Sequence, residues 1–529
     1  MSGATVRDSV FALLREAGMT TVFGNPGSTE LRFLRDWPAD FRYVTALHEG
    51  CAVAMADAYA QLSRNAAFVN LHSAGGLGNA MGSVFSAFKN QTPIVITAGQ
   101  QSRATFPTIP FLYAQDATTL PAPYVKWAYE PARAEDVPAA IERAYHVALQ
   151  PPAGPTFVSI PEDDWDREAT PSPLHRVDAR VRASQDATAA VVQALRTSAR
   201  PALVVGPGVD RDDASEAAVA IAERIGAAVY VSPFSSRCSF PERHPNFAGF
   251  LPPVRTQIVD ALREHDLIVV LGAPLFTYHV YTGGPAIADG TIVFHLTDDP
   301  TSAASAAAGT SILTTLRETL EAIARDLATA ESVSVAPARK AAATLDVSEK
   351  LSGASALQTL ARTMPEGTIV VEEAPSHRSA MHEYLPIERP GTFFAAASGS
   401  LGWALPASVG AALARPSQRI VAVLGDGSSM YAIQGIWTAV RLSLPITFLI
   451  LNNGAYAAMN QFSHYLGFSG TPSFALDGLN FVSAAETFGA RGTRVDDTPG
   501  LEKALRASFA SPLPSLVDAV LHDPVAAIY

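Results

Sequence analysis

Short β-branched runs alternate with amphipathic helical stretches along almost the whole chain, and that alternation restricts it to parallel α/β sheets. One unit recurs. In the first third, Ala67–Leu71 meets His72-Ser-Ala-Gly-Gly, then a helical stretch, then a strand at 93–98. In the last third, a strand at 420–424 meets Gly425-Asp-Gly-Ser, then a helical stretch, then a strand at 445–451. The step is 21 residues from His72 to Pro93 and 19 from Asp426 to Pro445. A shared spacing with different polar residues at the strand ends predicts two similar domains with divided duties; two unrelated βαβ units are the plainer alternative. A third block lies between them, opening with Pro201–Val205 and Gly206-Pro-Gly and continuing through Leu267–Leu271. It resembles a nucleotide-type sheet, but G-x-G lacks the third glycine that packs a helix beneath a pyrophosphate. A structural role is expected for it.

Two stretches break the alternation. Residues 163–186 are polar and contain proline, and residues 324–353 are rich in Ala, Ser and Lys. Both read as linkers, the second alternatively as a loosely packed helix. They divide the chain into domains at 1–180, 181–342 and 343–529, each of ordinary size. With 48% apolar and 17% charged residues, the chain can bury large cores. A net charge of −12 without any Lys/Arg-rich run argues against nucleic acid or an anionic membrane as partner. The longest apolar runs, such as 446–451, are far shorter than a bilayer span. Arg7 and Asp8 precede any apolar stretch, so no signal peptide is expected. Two cysteines, Cys51 and Cys238, make neither a disulfide framework nor a zinc site. A cytoplasmic protein acting on a small molecule is expected.

The strongest chemical signal is Gly425-Asp426-Gly427, then the 24 residues from Ser428 through Leu451, then Asn452-Asn453. Asp426 follows an apolar strand directly, which places it at the carboxyl edge where open α/β sheets bind ligands. Gly425 and Gly427 permit close backbone approach, and Ser428-Ser429 begin a helix whose N–H groups favour phosphate. That helix is expected to turn Met430, Ile433, Trp437 and Val440 toward the core. The next strand delivers Asn453 to the same edge. A carboxylate, an amide oxygen and a nearby carbonyl are hard ligands; two phosphate oxygens and a water would complete the Mg²⁺ octahedron. Two capped turns would explain the first motif alone. The paired asparagines one crossover later favour a metal–diphosphate site.

GDGS…NN resembles the diphosphate–magnesium motif of thiamine-diphosphate enzymes. The likeness extends, in order, through TVFGNPGSTEL (21–31), HEGCAVAMADAYAQ (48–61), NLHSAGGLGNAMG (70–82), ITAGQQSRA (96–104), VKWAYEP (125–131), LGAPLFTYHVY (271–281) and GSLGWALPA (399–407). GDGSSMY and LNNGAYAAM complete it. The pattern is similar to the thiamine-diphosphate-dependent 2-keto acid decarboxylases, most of all the branch acting on benzoylformate. That resemblance implies three α/β domains with parallel sheets: pyrimidine-binding, Rossmann-like middle, and diphosphate-binding, the first and third alike. It implies thiamine diphosphate and Mg²⁺ as cofactors, and an aromatic 2-keto acid converted to an aldehyde and CO₂, with carboligation as a side activity. It also implies a homo-oligomer, a dimer of dimers, whose sites join the first domain of one subunit to the third of another.

Residue by residue, the resemblance assigns Glu49 to the glutamate that shifts the aminopyrimidine to its imino form; alone it would read as a helix-terminal charge. His72 and His279 match two proton-carrying histidines. Ser28, after Asn25, Pro26 and Gly27 of the cofactor-lining turn, matches the serine that holds the substrate carboxylate. The cofactor side would further comprise Ser376, the Gly399 carbonyl, the wedge Leu401, the diphosphate loop Gly425, Asp426, Gly427 and Ser428, and Asn453 and Tyr456. Asp426, Asn453 and the Ala455 carbonyl would ligate the metal. Ser28, Phe111, Leu112, Met459 and Phe462 would form the substrate pocket. Departures fall at Pro375-Ser376, where the family carries Thr-Ser, and at Phe111 and Met459, where it carries leucines, so the pocket keeps its apolar character with another shape. No histidine falls within 100–116, which disfavours a pyruvate decarboxylase-like enzyme. A nicotinamide oxidoreductase would leave GDGS…NN unexplained. The alternatives kept open are an acetolactate synthase-like carboligase and a branched-chain or aliphatic 2-keto acid decarboxylase.

Overall fold

The computed structural model describes residues 4–328, 345 and 350–522, and builds them around three six-stranded parallel sheets. The first comprises β1 (Thr21–Asn25), β2 (Arg42–Thr45), β3 (Ala67–Leu71), β4 (Ile94–Gln100), β5 (Ala128–Tyr129) and β6 (Pro155–Pro161), ordered β2-β1-β3-β4-β6-β5. The second comprises β7 (Pro201–Val205), β8 (Ala228–Val231), β9 (Phe247–Phe250), β10 (Leu267–Leu271), β11 (Ile292–Thr297) and β12 (Thr310–Leu313), ordered β12-β11-β10-β7-β8-β9. The third comprises β13 (Ile369–Glu373), β14 (Phe393–Ala395), β15 (Ile420–Gly425), β16 (Ile446–Asn452), β17 (Arg491–Val495) and β18 (Ser515–Val520), ordered β14-β13-β15-β16-β18-β17. The first and third orders are one permutation, so the shared layout expected from spacing is a shared topology. β3, β4 and β6 are buried along their whole length, as a sheet covered by helices on both faces requires.

The middle sheet has the strand order of dinucleotide-binding domains. Its glycines serve another purpose. A Cβ on Gly208 would stand 2.7 Å from the Gly272 Cα, so Gly206-Pro-Gly lets two strand ends close on each other. Arg211, held by Asp212 at 3.2 Å and Asp298 at 2.9 Å, occupies the same edge.

The first and third domains share one apolar core. Helix Glu49–Ser63 packs so tightly on helix Ala404–Ala414 that a Cβ on Gly410 would lie 1.9 Å from the Met55 carbonyl oxygen. Within that core Asp57 accepts hydrogen bonds from Gln61 (2.7 Å), Asn90 (2.8 Å) and the Trp403 indole (2.8 Å). Burial pushes its carboxyl up, and the donors offset the desolvation. The first expected linker carries no helix or strand from 167 to 184, apart from an isolated bridge between Thr5 and Glu168. The second lies mostly outside the described residues, between helices Leu316–Leu327 and Gly353–Thr363. Among the described residues, no helix is long and apolar enough to cross a membrane.

Candidate active site

The expected site residues fall into two groups built on different sheets. The first gathers where β1, β3 and β4 end. After β1 the chain turns through Pro26 and Gly27 into a 3₁₀ turn, Ser28–Glu30. Gly27 is required there, since a Cβ would meet the His72 ring at 2.4 Å. Ser28 is exposed at the tip of the turn. His72 follows β3 directly, and its Nδ1 lies 2.9 Å from Glu30 Oε2 and 3.0 Å from Thr29 Oγ1. Glu30, 1% exposed, also accepts from the N–H of Gly27 (2.8 Å), the Thr29 hydroxyl (2.6 Å) and the N–H of Gly99 (3.0 Å). A carboxylate fixed by three other donors holds the proton on His72 Nδ1 and leaves Nε2 as the acceptor. Glu49, 8% exposed, opens its helix and accepts from Asn79 Nδ2 at 3.2 Å. Gly76 separates Glu49 from His72; a Cβ there would lie 3.2 Å from Glu49 Oε1 and 3.4 Å from His72 Cβ. Ser73 Oγ donates to the Leu112 carbonyl at 2.8 Å, which brings the loop bearing Phe111 and Leu112 beside His72.

The second group gathers on the third sheet. Asp426, 4% exposed, begins a single helical turn, Asp426–Ser429, at the end of β15. Its Oδ1 accepts from Gly427 and its Oδ2 from Gly454, both at 2.7 Å. The Gly454 bond crosses from β15 to the loop after β16 and joins the two halves of the sequence motif. Asn452 donates to Asp518 at 2.8 Å and is structural, whereas Asn453 is turned to the loop, its Oδ1 accepting from Ala455 at 3.1 Å. Burial pushes the Asp426 carboxyl up, opposed by N–H donors from Gly427, Gly454, Ala455 and Asn453. A Cβ on Gly427 would meet the Tyr456 ring at 2.4 Å, so this glycine admits the tyrosine. Ser376 Oγ accepts from the Ala458 N–H at 3.1 Å and seats helix Ala457–Tyr465, which carries Met459 and Phe462. His279, from the middle domain, stacks on Phe462 with ring centroids 4.9 Å apart and 22° between planes.

One expectation is corrected. The chain after Gly427 does not form one continuous helix, and of Met430, Ile433, Trp437 and Val440 it is Ile433 and Val440 that pack, half-buried, against the core. It makes one turn, loops, and restarts at Gly435–Arg441. Ala432, Ile436 and Ala439 are buried, and Met430 is 41% exposed. The break shifts the 3.6-residue phase, and Gly435 packs against Leu405, where a Cβ would stand 2.8 Å away.

Two carboxylates escaped the sequence reading. Glu30 orients His72, and Glu373, at the end of β13, accepts the N–H groups of Gly402 (2.6 Å), Trp403 (2.8 Å) and Ala404 (2.8 Å). That clasp fixes the loop bearing Gly399 and Leu401, in which Gly399 and Gly402 take φ of +70° and +94°. Burial pushes the Glu373 carboxyl up to about 7, against the pull of its three donors. Replacing Glu30 by Gln puts an amide donor against His72 Nδ1 and reverses the tautomer. Turnover should fall about tenfold to a hundredfold, and Tm should fall as well because the same amide faces the Gly27 N–H, measured by steady-state kinetics and thermal melting. Unchanged turnover would remove His72 from proton transfer.

Three family descriptions match in succession. They are thiamine pyrophosphate enzyme, N-terminal TPP binding domain (residues 4–118), central domain (188–323) and C-terminal TPP binding domain (374–519). Benzoylformate decarboxylase of Pseudomonas aeruginosa is 38% identical over 97% of this chain and 98% of its own length. Among solved structures, a thiamine diphosphate-dependent 4-hydroxybenzoylformate decarboxylase from Rhodococcus jostii RHA1 superimposes with a TM-score of 0.95 at 39% identity, over 99% of this chain and 100% of that one. Benzoylformate decarboxylase from Polynucleobacter necessarius gives 0.96 at 36% identity, over 99% of both chains.

Proposed function

The chain belongs to the thiamine pyrophosphate enzyme family, and on that premise we propose that it decarboxylates an aromatic 2-keto acid of the benzoylformate type to an aldehyde and CO₂. The observation that carries the reading is the His279–Phe462 stack, which sets a proton carrier against an aromatic wall in the group that contains Asp426. Thiamine diphosphate, when bound, supplies the thiazolium electron sink that no side chain offers. The donor set suits it: Asp426, Asn453 Oδ1 and the Ala455 carbonyl are hard oxygens for Mg²⁺. Glu49 would bind the aminopyrimidine; Asn79 fixes one of its oxygens and leaves the other to hold or release a proton. His72 takes or gives a proton at Nε2, because Glu30 holds Nδ1. Ser28 receives the substrate carboxylate, while Leu112, Met459 and Phe462 exclude water from the ring.

The same reading calls for a second copy. Phe111 is 85% and Met459 50% exposed, so these two cannot line a dry pocket within one chain. Helix Ser73–Lys89 presents Gly75, Gly78 and Gly82 to open space, where another backbone can approach closely. A dimer with sites shared between the first and third domains, paired into a tetramer, accounts for both.

Against a methyl group, a phenyl ring removes on the order of 80 Å² more apolar area from water, worth roughly 2 kcal/mol or about thirtyfold in kcat/KM. Benzoylformate or a ring-substituted relative should therefore exceed pyruvate by at least ~10-fold in kcat/KM, read from CO₂ release. Equal or better turnover of pyruvate would overturn the pocket argument and favour an acetolactate synthase-like carboligase.

A further inference from the structure

On the far side of the first domain, helix Val137–Leu149 carries Glu142 and His146 one turn apart, and the linker lays His175 over both. Residues at i and i+4 share a helix face, so both side chains point at the linker. His175 Nδ1 lies 2.5 Å from Glu142 Oε1, and the same oxygen accepts the His175 backbone N–H at 3.0 Å. His146 Nε2 lies 4.0 Å from that oxygen, and the two imidazoles stand 4.1 Å apart at 47°. The three ligand atoms all fall within 4.8 Å of one another. His146 is only 9% exposed, and its Nε2 has no hydrogen-bond partner. A buried ring nitrogen without a partner, aimed at a carboxylate and a second imidazole, is what a missing cation leaves behind.

We infer that Glu142, His146 and His175 form a zinc site that pins the linker to the first domain. Around tetrahedral Zn²⁺, ligand atoms at 2.0–2.2 Å stand roughly 3.3 Å apart, and the observed 2.5 and 4.0 Å bracket that spacing. A small movement of exposed His175 would open the first distance, and a small rotation of the Glu142 carboxylate toward the His146 ring would close the second. Two imidazoles and one carboxylate leave a fourth position for water, and imidazole prefers Zn²⁺ to the hard Mg²⁺ of the candidate active site. Burial first, and then the His175 imidazole, lower the pKa of His146, which favours the neutral form that ligates; Glu142 and the His175 backbone pull the other way. The carboxylate is already oriented by the linker backbone, so binding the ion requires little reordering.

Calorimetric titration of the untagged, thiamine diphosphate- and Mg²⁺-loaded protein with Zn²⁺ at pH 7.5 should show one ion per chain, accompanied by a rise in Tm. Residues 167–184 should become more resistant to protease. His175→Ala, at an exposed position that the fold does not need, should weaken binding at least ~100-fold and remove the protease protection without changing turnover. Glu142→Gln keeps a hydrogen-bonding oxygen but loses the charge, and should weaken binding as well. At pH 5.5 the affinity should fall, because protons compete for both imidazoles. Co²⁺ in place of Zn²⁺ should give a tetrahedral visible spectrum that His175→Ala abolishes. Absence of binding, or binding untouched by both substitutions, or equal affinity at the two pH values, would overturn the site.

Discussion

Asp426→Ala is expected to abolish thiamine diphosphate retention and to cut turnover by at least ~1000-fold, the equivalent of about 4 kcal/mol of metal binding. The carboxylate would be the only charged protein ligand on Mg²⁺, and it is already gathered with Asn453 by the Gly454 N–H at 2.7 Å. Removing it also strands two buried N–H donors, which costs stability. Asp426→Asn separates the two effects, since its amide oxygen can satisfy one donor without supplying the charge. Its Tm should lie nearer the parent than that of the alanine variant, while cofactor retention fails in both. The metal also competes with a proton. Burial raises the Asp426 pKa, so the Mg²⁺ concentration for half-activation should climb as pH falls through that raised value and stay level above it. Chelation and dialysis followed by Mg²⁺ titration across pH checks this. A chelated protein that retains full turnover would exclude the metal role altogether.

What the sequence disclosed, and what it hid, divides along the range of the interactions. Strand–helix alternation is local, and it was enough for three parallel sheets and for the likeness of the first and third. The motif pair at Asp426 and Asn453 was also legible, because a crossover between adjacent parallel strands, β15 and β16, sets both the spacing and the shared edge. Glu30 and Glu373 were not. Their partners, Gly99 and the Gly402–Ala404 backbone, are brought in by strand adjacency and loop closure, which leave no periodic trace. Consecutive carboxylates at the end of an apolar strand, as in Glu372-Glu373, are the available signal, since burial there demands donors. The helix after Gly427 misled for a related reason. Its hydrophobic phase assumed one continuous helix, and Gly435, needed for packing on Leu405, restarts it.

Glu49→Gln should lower kcat by roughly 10²- to 10⁴-fold, the usual worth of a general acid–base group, and leave cofactor binding intact. Gln keeps an oxygen for Asn79, whose bond to Glu49 is 3.2 Å long, so the fold should be undisturbed. The proposed sharing of sites between subunits turns this variant into a test of geometry. If each site joins Glu49 of one chain to Asp426 of another, a hybrid of Glu49→Gln and Asp426→Ala chains carries one site with both lesions and one with neither. Random exchange at a one-to-one ratio makes half the dimers hybrid, so about a quarter of parent activity should return from two inactive proteins. Were both residues of a site drawn from one chain, every site in the mixture would keep a lesion and nothing would return. The mixture must be shown to exchange, by native mass spectrometry of chains differing in mass, because unexchanged dimers also give no activity. Recovery near a quarter, with the restored activity binding thiamine diphosphate at half the sites, distinguishes sharing in trans from a leak in either variant. Exchange without recovery would place Glu49 and Asp426 in a single-chain site and leave the exposure of Phe111 and Met459 without a covering subunit.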